Sequence, residues 1–458
     1  MIFFIAKKDI FYEIPGDKIK KNIALILFII VITSGITLNI FQVPIKTITN
    51  YGYSEVKEKG GNTIYGLFPT PPQNIKITTK KTKAPYILMV TSFDSTISST
   101  PMLDIEPEII RLLNGSPFDG VTFNLIDIYS GQPLPDEKSV IFKAKQLKTI
   151  SKKDLWVRVN INRIYERDKK HPYYESGHKK EDLAKLPMKG ISAGEVRKLS
   201  TAYFDKINGM DIYDEEGALS DFYKIWRLSL KFSRVMKSGI VLDFEPYHNK
   251  EVKYTVSKIA SKQRRSVDEV KERLKNIGVH LADIAADEYP SVTVISLFTY
   301  LNNTKYDIPN YISRGILKGA KENNISLKLV EGGETDINYI NKSLDILKEK
   351  INRRLLIYHD LLYEYSDNFH LGGTITVWDD PSKIRGWAKE KAGVESPFKS
   401  LEDFKPYLKE LFSNYNYIWI YAPMVTDYNP FDLNSAPEFN KKLERVIKDV
   451  LKEIGIEN

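Results

Sequence analysis

Asp243 and Glu245 are two carboxylates one residue apart, at the end of the run Gly239-Ile-Val-Leu-Asp-Phe-Glu-Pro-Tyr247. Paired acids of this kind can do proton-transfer work, one donating or accepting a proton while its neighbour orients it and tunes its proton affinity. The aliphatic residues around them form a short buried strand. Side chains alternate along a strand, so Asp243 and Glu245 share one face while Ile240, Leu242 and Phe244 take the other. The aliphatic face suits a layer of helices, and the acidic face suits the inside of a barrel or cleft. Pro246 has no N–H and ends the ladder. Glu245 is therefore expected at the C-terminal mouth of its strand, where α/β enzymes place their chemistry.

A strand pattern recurs along the chain and defines the frame that must position this pair. Strands are expected at Tyr86–Ser92, Gly120–Ile126, Leu155–Ile161, Gly239–Glu245, Val292–Tyr300, Ile325–Glu331, Gly373–Asp379 and Tyr417–Ala422. Helical periodicity separates most of them, at Asp221–Met236, Val267–Glu288, Tyr311–Asn323, Tyr339–Tyr365 and Leu401–Phe412, with a closing helix near Glu438–Ile454. Eight alternating units predict an α/β fold, a parallel (β/α)8 TIM barrel spanning residues 85–458. The 56 or so residues from Asn162 to about Gly217 form a long insertion after strand three, rich in charge and tyrosine, and long loops in compact domains are usually functional.

Alternation on the other strands nominates further residues. On the third, Leu155, Val157, Val159 and Ile161 face the helices, which turns Arg158, Asn160 and Asn162 inward. The seventh sends Ile375 and Val377 out and Thr374, Thr376, Trp378 and Asp380 in. The eighth sends Ile418, Ile420 and Ala422 out and Tyr417, Trp419 and Tyr421 in. This describes a polar and aromatic interior. Sugars suit such a lining, because ring faces cover their C–H patches while amides, guanidinium groups and carboxylates bond their hydroxyls. Arg158, Asn160, Asn162, Tyr247, Tyr300, Trp378, Trp419 and Tyr421 are the candidate substrate-binding residues. Asp380 and Glu331 join Asp243 and Glu245 as candidate catalytic acids; Glu331 precedes Gly-Gly-Glu334, a turn able to bring either acid to a cleft.

The run Gly239-Ile-Val-Leu-Asp-Phe-Glu245 resembles the strand-four signature of chitinase-like family-eighteen glycoside hydrolases, which ends Asp-x-Asp-Trp/Phe-Glu. The resemblance implies that Glu245 is the general acid and that Asp243 orients it and the substrate's acetamido group. The family's earlier acids are replaced by Gly239 and Val241. Glu245-Pro246 is also similar to the strand-four acid of the large barrel clan that pairs it with a strand-seven carboxylate, a role Asp380 in Trp378-Asp-Asp380 would fill. Glycoside hydrolysis is the implied reaction, in which an acid protonates the leaving oxygen as oxocarbenium character develops. A like charge on Asp243 would help raise the proton affinity of Glu245.

Residues 22–41 (NIALILFIIVITSGITLNIF) are apolar and uncharged, and about 20 such residues span a bilayer. Lys18, Lys20 and Lys21 just before them predict a cytoplasmic N-terminal segment at 1–21, a signal anchor at 22–41 and an external remainder. Residues 42–84, with scattered Pro, Gly, Asn, Thr and Lys, read as an extracellular stalk below the barrel. The chain has 458 residues, a net charge of +8 and no cysteine, which excludes disulfides, thiolate catalysis and cysteine-held metals. No compact basic and aromatic cluster points to nucleic acid, no glycine-rich phosphate loop to a nucleotide cofactor, and no His-x-His or His-x-x-x-His spacing to a metal. The expected partners are a carbohydrate substrate and the membrane, with no cofactor. The alternative is a non-catalytic carbohydrate-binding or cell-surface scaffold protein on a degenerate barrel.

Overall fold

The structure is a computed structural model. It describes residues 51–57, 63–69, 83–91, 102, 105, 107–125, 134–160, 212–213, 215–216, 218–244, 255–297, 307–334, 337, 343–376, 400–422 and 436–456. The chain divides into two compact units, Met1–Ile77 and Thr78–Asn458. In the first, β1 (Tyr51–Lys57) and β2 (Thr63–Pro69) pair antiparallel from Tyr51↔Pro69 to Lys57↔Thr63. Part of the stretch read from sequence as an irregular stalk is thus a hairpin. The apolar run at 22–41 lies outside the described residues. Among the described residues, no helix is long and apolar enough to cross a membrane.

The second unit carries the expected barrel rhythm. Its strands are β3 (Tyr86–Thr91), β4 (Gly120–Asn124), β5 (Asp154–Asn160), β6 (Ile240–Asp243), β7 (Thr293–Leu297), β8 (Lys328–Glu331), β9 (Phe369–Leu371), β10 (Gly373–Thr376) and β11 (Tyr417–Ala422). All pair parallel, in the order β10-β11-β3-β4-β5-β6-β7-β8-β9. The two ends of that order, β9 and β10, are separated by Gly372 alone. They are halves of one bent strand, the first pairing with β8 and the second with β11, and the sheet comes round on itself through the bend. The eight strand positions read from the sequence match eight of the segments; β9, Phe369–Leu371, precedes the seventh expected strand and is not among those read from sequence.

Helices follow the strands: α1 (Pro107–Asn114), α2 (Glu137–Ile150), α3 (Ala218–Met236), α4 (Val256–Gln263), α5 (Val267–Glu288), α6 (Ile308–Glu322), α7 (Leu344–Ile357), α8 (His359–Glu364), α9 (Leu401–Asn414) and α10 (Ala436–Glu453). Helix α5 shows why such a segment forms. Ser266 and Glu269 make a reciprocal capping box that satisfies the first backbone donors. Val270, Leu274, Ile277, Leu281 and Ile284 then recur at three- and four-residue steps and bury one stripe. The single long helix expected over Tyr339–Tyr365 is two. Tyr358, buried, leaves helical geometry at φ −100°, ψ 7° and separates α7 from α8.

Two apolar layers result. The larger lies between strands and helices and takes Leu155, Val157, Val159, Ile240, Leu242, Phe244, Ile375, Ile418 and Ile420, as alternation requires. The smaller fills the barrel with Leu88, Val90, Trp156, Val241, Ile295, Leu297, Val330 and Trp419, flanked by Tyr86, Tyr417 and Tyr421. The interior is therefore less polar than the three strands read from sequence suggested. The strands not used for that reading, β3, β7 and β8, supply aliphatic side chains. Trp156 lies across the lower barrel because both neighbouring strands yield to it. A Cβ on Gly239 would come within 2.4 Å of its ring, and one on Gly120 within 3.0 Å.

Candidate functional site at the C-terminal mouth of the barrel

Asp243 ends β6 on the barrel's inner face and is fully buried. Ile240, Leu242 and Phe244 point to the helices, so the face assignments read from sequence for residues 240–244 are correct. Strand β5 lies beside β6 with Arg158 level with Val241 and Asn160 level with Asp243. Arg158 reaches one step along and donates to Asp243 Oδ2 from Nε at 2.9 Å and Nη2 at 2.6 Å. Both partners are taken out of water, with Arg158 8% exposed. A pair this buried is held by mutual charge and hydrogen bonding, and removing one partner leaves an uncompensated charge. The charge of Asp243 is matched by Arg158, which offsets the repulsion towards Glu245 expected from sequence.

Asn124, at the end of β4, completes a polar set on adjacent strands. It is level with Arg158, is 3% exposed, and shares its face with Thr122, while Val121 and Phe123 pack outward. Sequence reasoning passed over it, although the alternation in Gly120-Val-Thr-Phe-Asn124 carries the same signal as that used on β5. On the opposite wall Thr374 and Thr376 are buried beside Trp419 and Tyr421.

The candidate substrate-binding residues divide accordingly. Arg158 is engaged by Asp243. Trp419 is 2% exposed and spends its indole N–H on Gly332 O at 2.8 Å, so it belongs to the packed interior rather than an open cleft. Tyr421 is half-buried, its ring 6.4 Å from that of Trp419 and nearly perpendicular. Asn160 is placed by its backbone, level with Asp243. Glu245, Asn162, Tyr247, Tyr300, Trp378 and Asp380 lie outside the described residues, as do His171, His178 and most of the long insertion.

Glu331 requires a correction. Leu329 joins the outer apolar layer and Val330 the inner one, so Glu331 returns to the outer face, away from the barrel interior. It is 1% exposed and forms an ion pair with Arg354 of α7, which is 0% exposed. Its other oxygen accepts from Gly333 N at 3.0 Å. The same guanidinium donates to Gly372 O at 2.6 Å and Glu331 O at 3.1 Å. Arg354 thus ties α7 to the strand bend where the sheet meets itself. Glu331 is a structural anchor, and the Gly-Gly turn after it is not a swinging arm for the acid.

Among the described residues no group of three or more His, Asp or Glu side chains could hold a metal ion.

No protein-family model matches this sequence, and no curated protein does. Solved structures resemble it in fold. The tandem family-20 catalytic modules of the pneumococcal exo-β-D-N-acetylglucosaminidase StrH align at 10% identity over 80% of this chain and 86% of theirs, with a TM-score of 0.40. The C-terminal domain of a chitinase-like protein from Desulfitobacterium hafniense aligns at 11% identity over 80% of this chain and all of its own, with a TM-score of 0.35. The 3-keto-D-glucoside 4-epimerase YcjR of E. coli aligns at 13% identity over 79% and 98%, with a TM-score of 0.35.

Proposed function

We propose that this chain is a membrane-anchored, extracellular glycoside hydrolase acting on a polysaccharide or glycan. Glu245 is its general acid and Asp243 the residue that positions it. The observation that carries the reading is the buried Arg158–Asp243 pair at the end of β6. It fixes the carboxylate of Asp243 at the C-terminal mouth, and side-chain alternation along a strand is the ground for assigning Glu245, two residues on, to the same face. With Arg158 cancelling its charge, Asp243 acts through orientation and hydrogen bonding rather than repulsion. Asn124, level with Arg158 on the neighbouring strand, is able to bond sugar hydroxyls, and Tyr421 offers a half-buried ring for a sugar face. The second group of the reaction is Asp380 or the substrate's own acetamido oxygen. Glu331 has no part in it. Residues 22–41 provide the anchor.

The test is to incubate the chain with a panel of cell-surface and environmental polysaccharides and follow new reducing ends. The expected result is cleavage of one class by the native protein and its loss in Glu245→Gln with the fold intact. Cleavage undiminished in Glu245→Gln would move the chemistry elsewhere. Binding without cleavage by both proteins would establish the scaffold alternative.

A further inference from the structure

The opposite end of the barrel holds a cavity of about 1090 Å³, slightly above the usual size of small-molecule sites. Its floor is made by the first inward residues of the strands. Tyr86 and Tyr417 lie on neighbouring strands with ring centroids 6.4 Å apart, and His370 is 6.4 Å from Tyr417 on the other side. Lys328 and His370 face inward, since Leu329, Phe369 and Leu371 pack outward. Lysine is rarely enclosed without a carboxylate partner. Lys328 is half-buried on this floor, and among the described residues it makes no ion pair. Its charge, after burial, holds the His370 imidazole below its ordinary protonation range. His370 Nε2 is buried with no hydrogen-bond partner among the described residues.

The rim adds more positive charge than negative. Lys83, Lys153 and Lys448 line the cavity, against Asp119 and Glu444. Glu444 is taken by Lys448 at 2.8 Å. Asp119 accepts the Ile87 N–H at 2.7 Å, and burial raises its proton affinity. Asp154, close by, receives the Tyr86 hydroxyl at 2.8 Å. Lys83, Lys153 and Lys328 remain around the space, with the charges of Asp119, Glu444 and Asp154 felt at Lys153.

We propose that this cavity is a second site, separate from the mouth, which binds a small polyanion of the phosphate or polycarboxylate class through Lys328, with Lys153 and Lys83 at the rim. The tyrosine rings give it an apolar wall for a planar portion of the ligand.

The experiment titrates the full chain calorimetrically with inorganic pyrophosphate and, separately, with citrate at constant ionic strength. The expected result is saturable binding of one equivalent of either anion. It should weaken about tenfold or more in Lys328→Met and persist in Lys328→Arg. If Lys328→Met does not fold, Lys153→Met carries the comparison with the same expectation. Preference for pyrophosphate assigns the ligand to the phosphate class, and preference for citrate to the carboxylate class. Absence of saturable binding by both anions, or affinity unchanged in the methionine variants, overturns the proposal.

Discussion

Replacing Glu331 by Gln asks whether this acid is an anchor or a catalyst. Glu331 and Arg354 are 1% and 0% exposed. Breaking a buried pair by removing one partner typically costs about 3–5 kcal/mol, because the remaining charge stays desolvated. Glu331→Gln keeps the side chain's size and one acceptor but removes the carboxylate paired with Arg354, so the loss should fall at the lower end, about 3 kcal/mol. Arg354→Met removes more. Besides stranding the carboxylate, it takes the Arg354 hydrogen bond from Gly372 O, worth about 1–3 kcal/mol when that carbonyl is left buried and unbonded, while Glu331 O keeps the Gly372 N–H at 2.7 Å. The expected loss is about 5 kcal/mol or more. The assay is urea unfolding of the native chain, both single variants and the double variant, read as a double-mutant cycle. The singles should be strongly non-additive, the double little worse than Arg354→Met alone. Any glycan cleavage should survive in folded Glu331→Gln. A stability change below about 1 kcal/mol in Glu331→Gln, or loss of activity with stability unchanged, would refute the assignment of Glu331 as a structural anchor.

Other perturbations probe the mouth, the helix packing and the surface. Asp243→Asn removes the buried carboxylate paired with Arg158 and should cost about 3 kcal/mol as well as activity, whereas Asn124→Ala should reduce substrate affinity with a smaller stability loss; unfolding curves and substrate titrations separate the two. Helices α5 and α6 touch backbone to backbone, with a Cβ on Gly315 only 2.0 Å from Lys275 O, so Gly315→Ala should destabilise by about 1–3 kcal/mol despite alanine's better helix propensity; Gly455→Ala, where nothing lies within 4 Å, should cost no more than its left-handed φ of 78° demands. Glu453 is exposed, and hydrogen bonds from Lys409 and Lys405 lower its carboxyl to about 2. Its folded-state value lies below the unfolded one, so its stabilisation is present above the unfolded value and lost as pH falls towards about 2. The small stability difference between native protein and Glu453→Gln should therefore be seen at pH 5, shrink towards pH 2, and be reduced by salt.

Local pattern was enough for the architecture. All eight barrel strands stand where aliphatic alternation put them, because a strand between helices and a barrel lumen must bury one face regardless of what lies far away. The same rule put Asp243, Arg158, Thr374, Trp419 and Tyr421 on the inner face from sequence alone. What alternation could not supply was the partner. Arg158 and Asp243 are 85 residues apart, and only the register of β5 against β6 brings them within 2.6 Å. Glu331 looked available because its strand's phase was not set by its own few residues; the outward turn follows from Leu329 and Val330 choosing opposite layers, and its partner Arg354 comes from a helix 23 residues on. Trp419 looked like a sugar platform until Gly332, just past the end of β8, a strand not adjacent to β11, proved to accept its N–H. The closure of the sheet through Gly372, and the basic cavity gathered from Lys83, Lys153 and Lys328, likewise exist only once distant segments are placed side by side. Sequence determined which way each side chain faces; tertiary structure decided what it meets there, since facing is set by the period of one strand and contact by the packing of several.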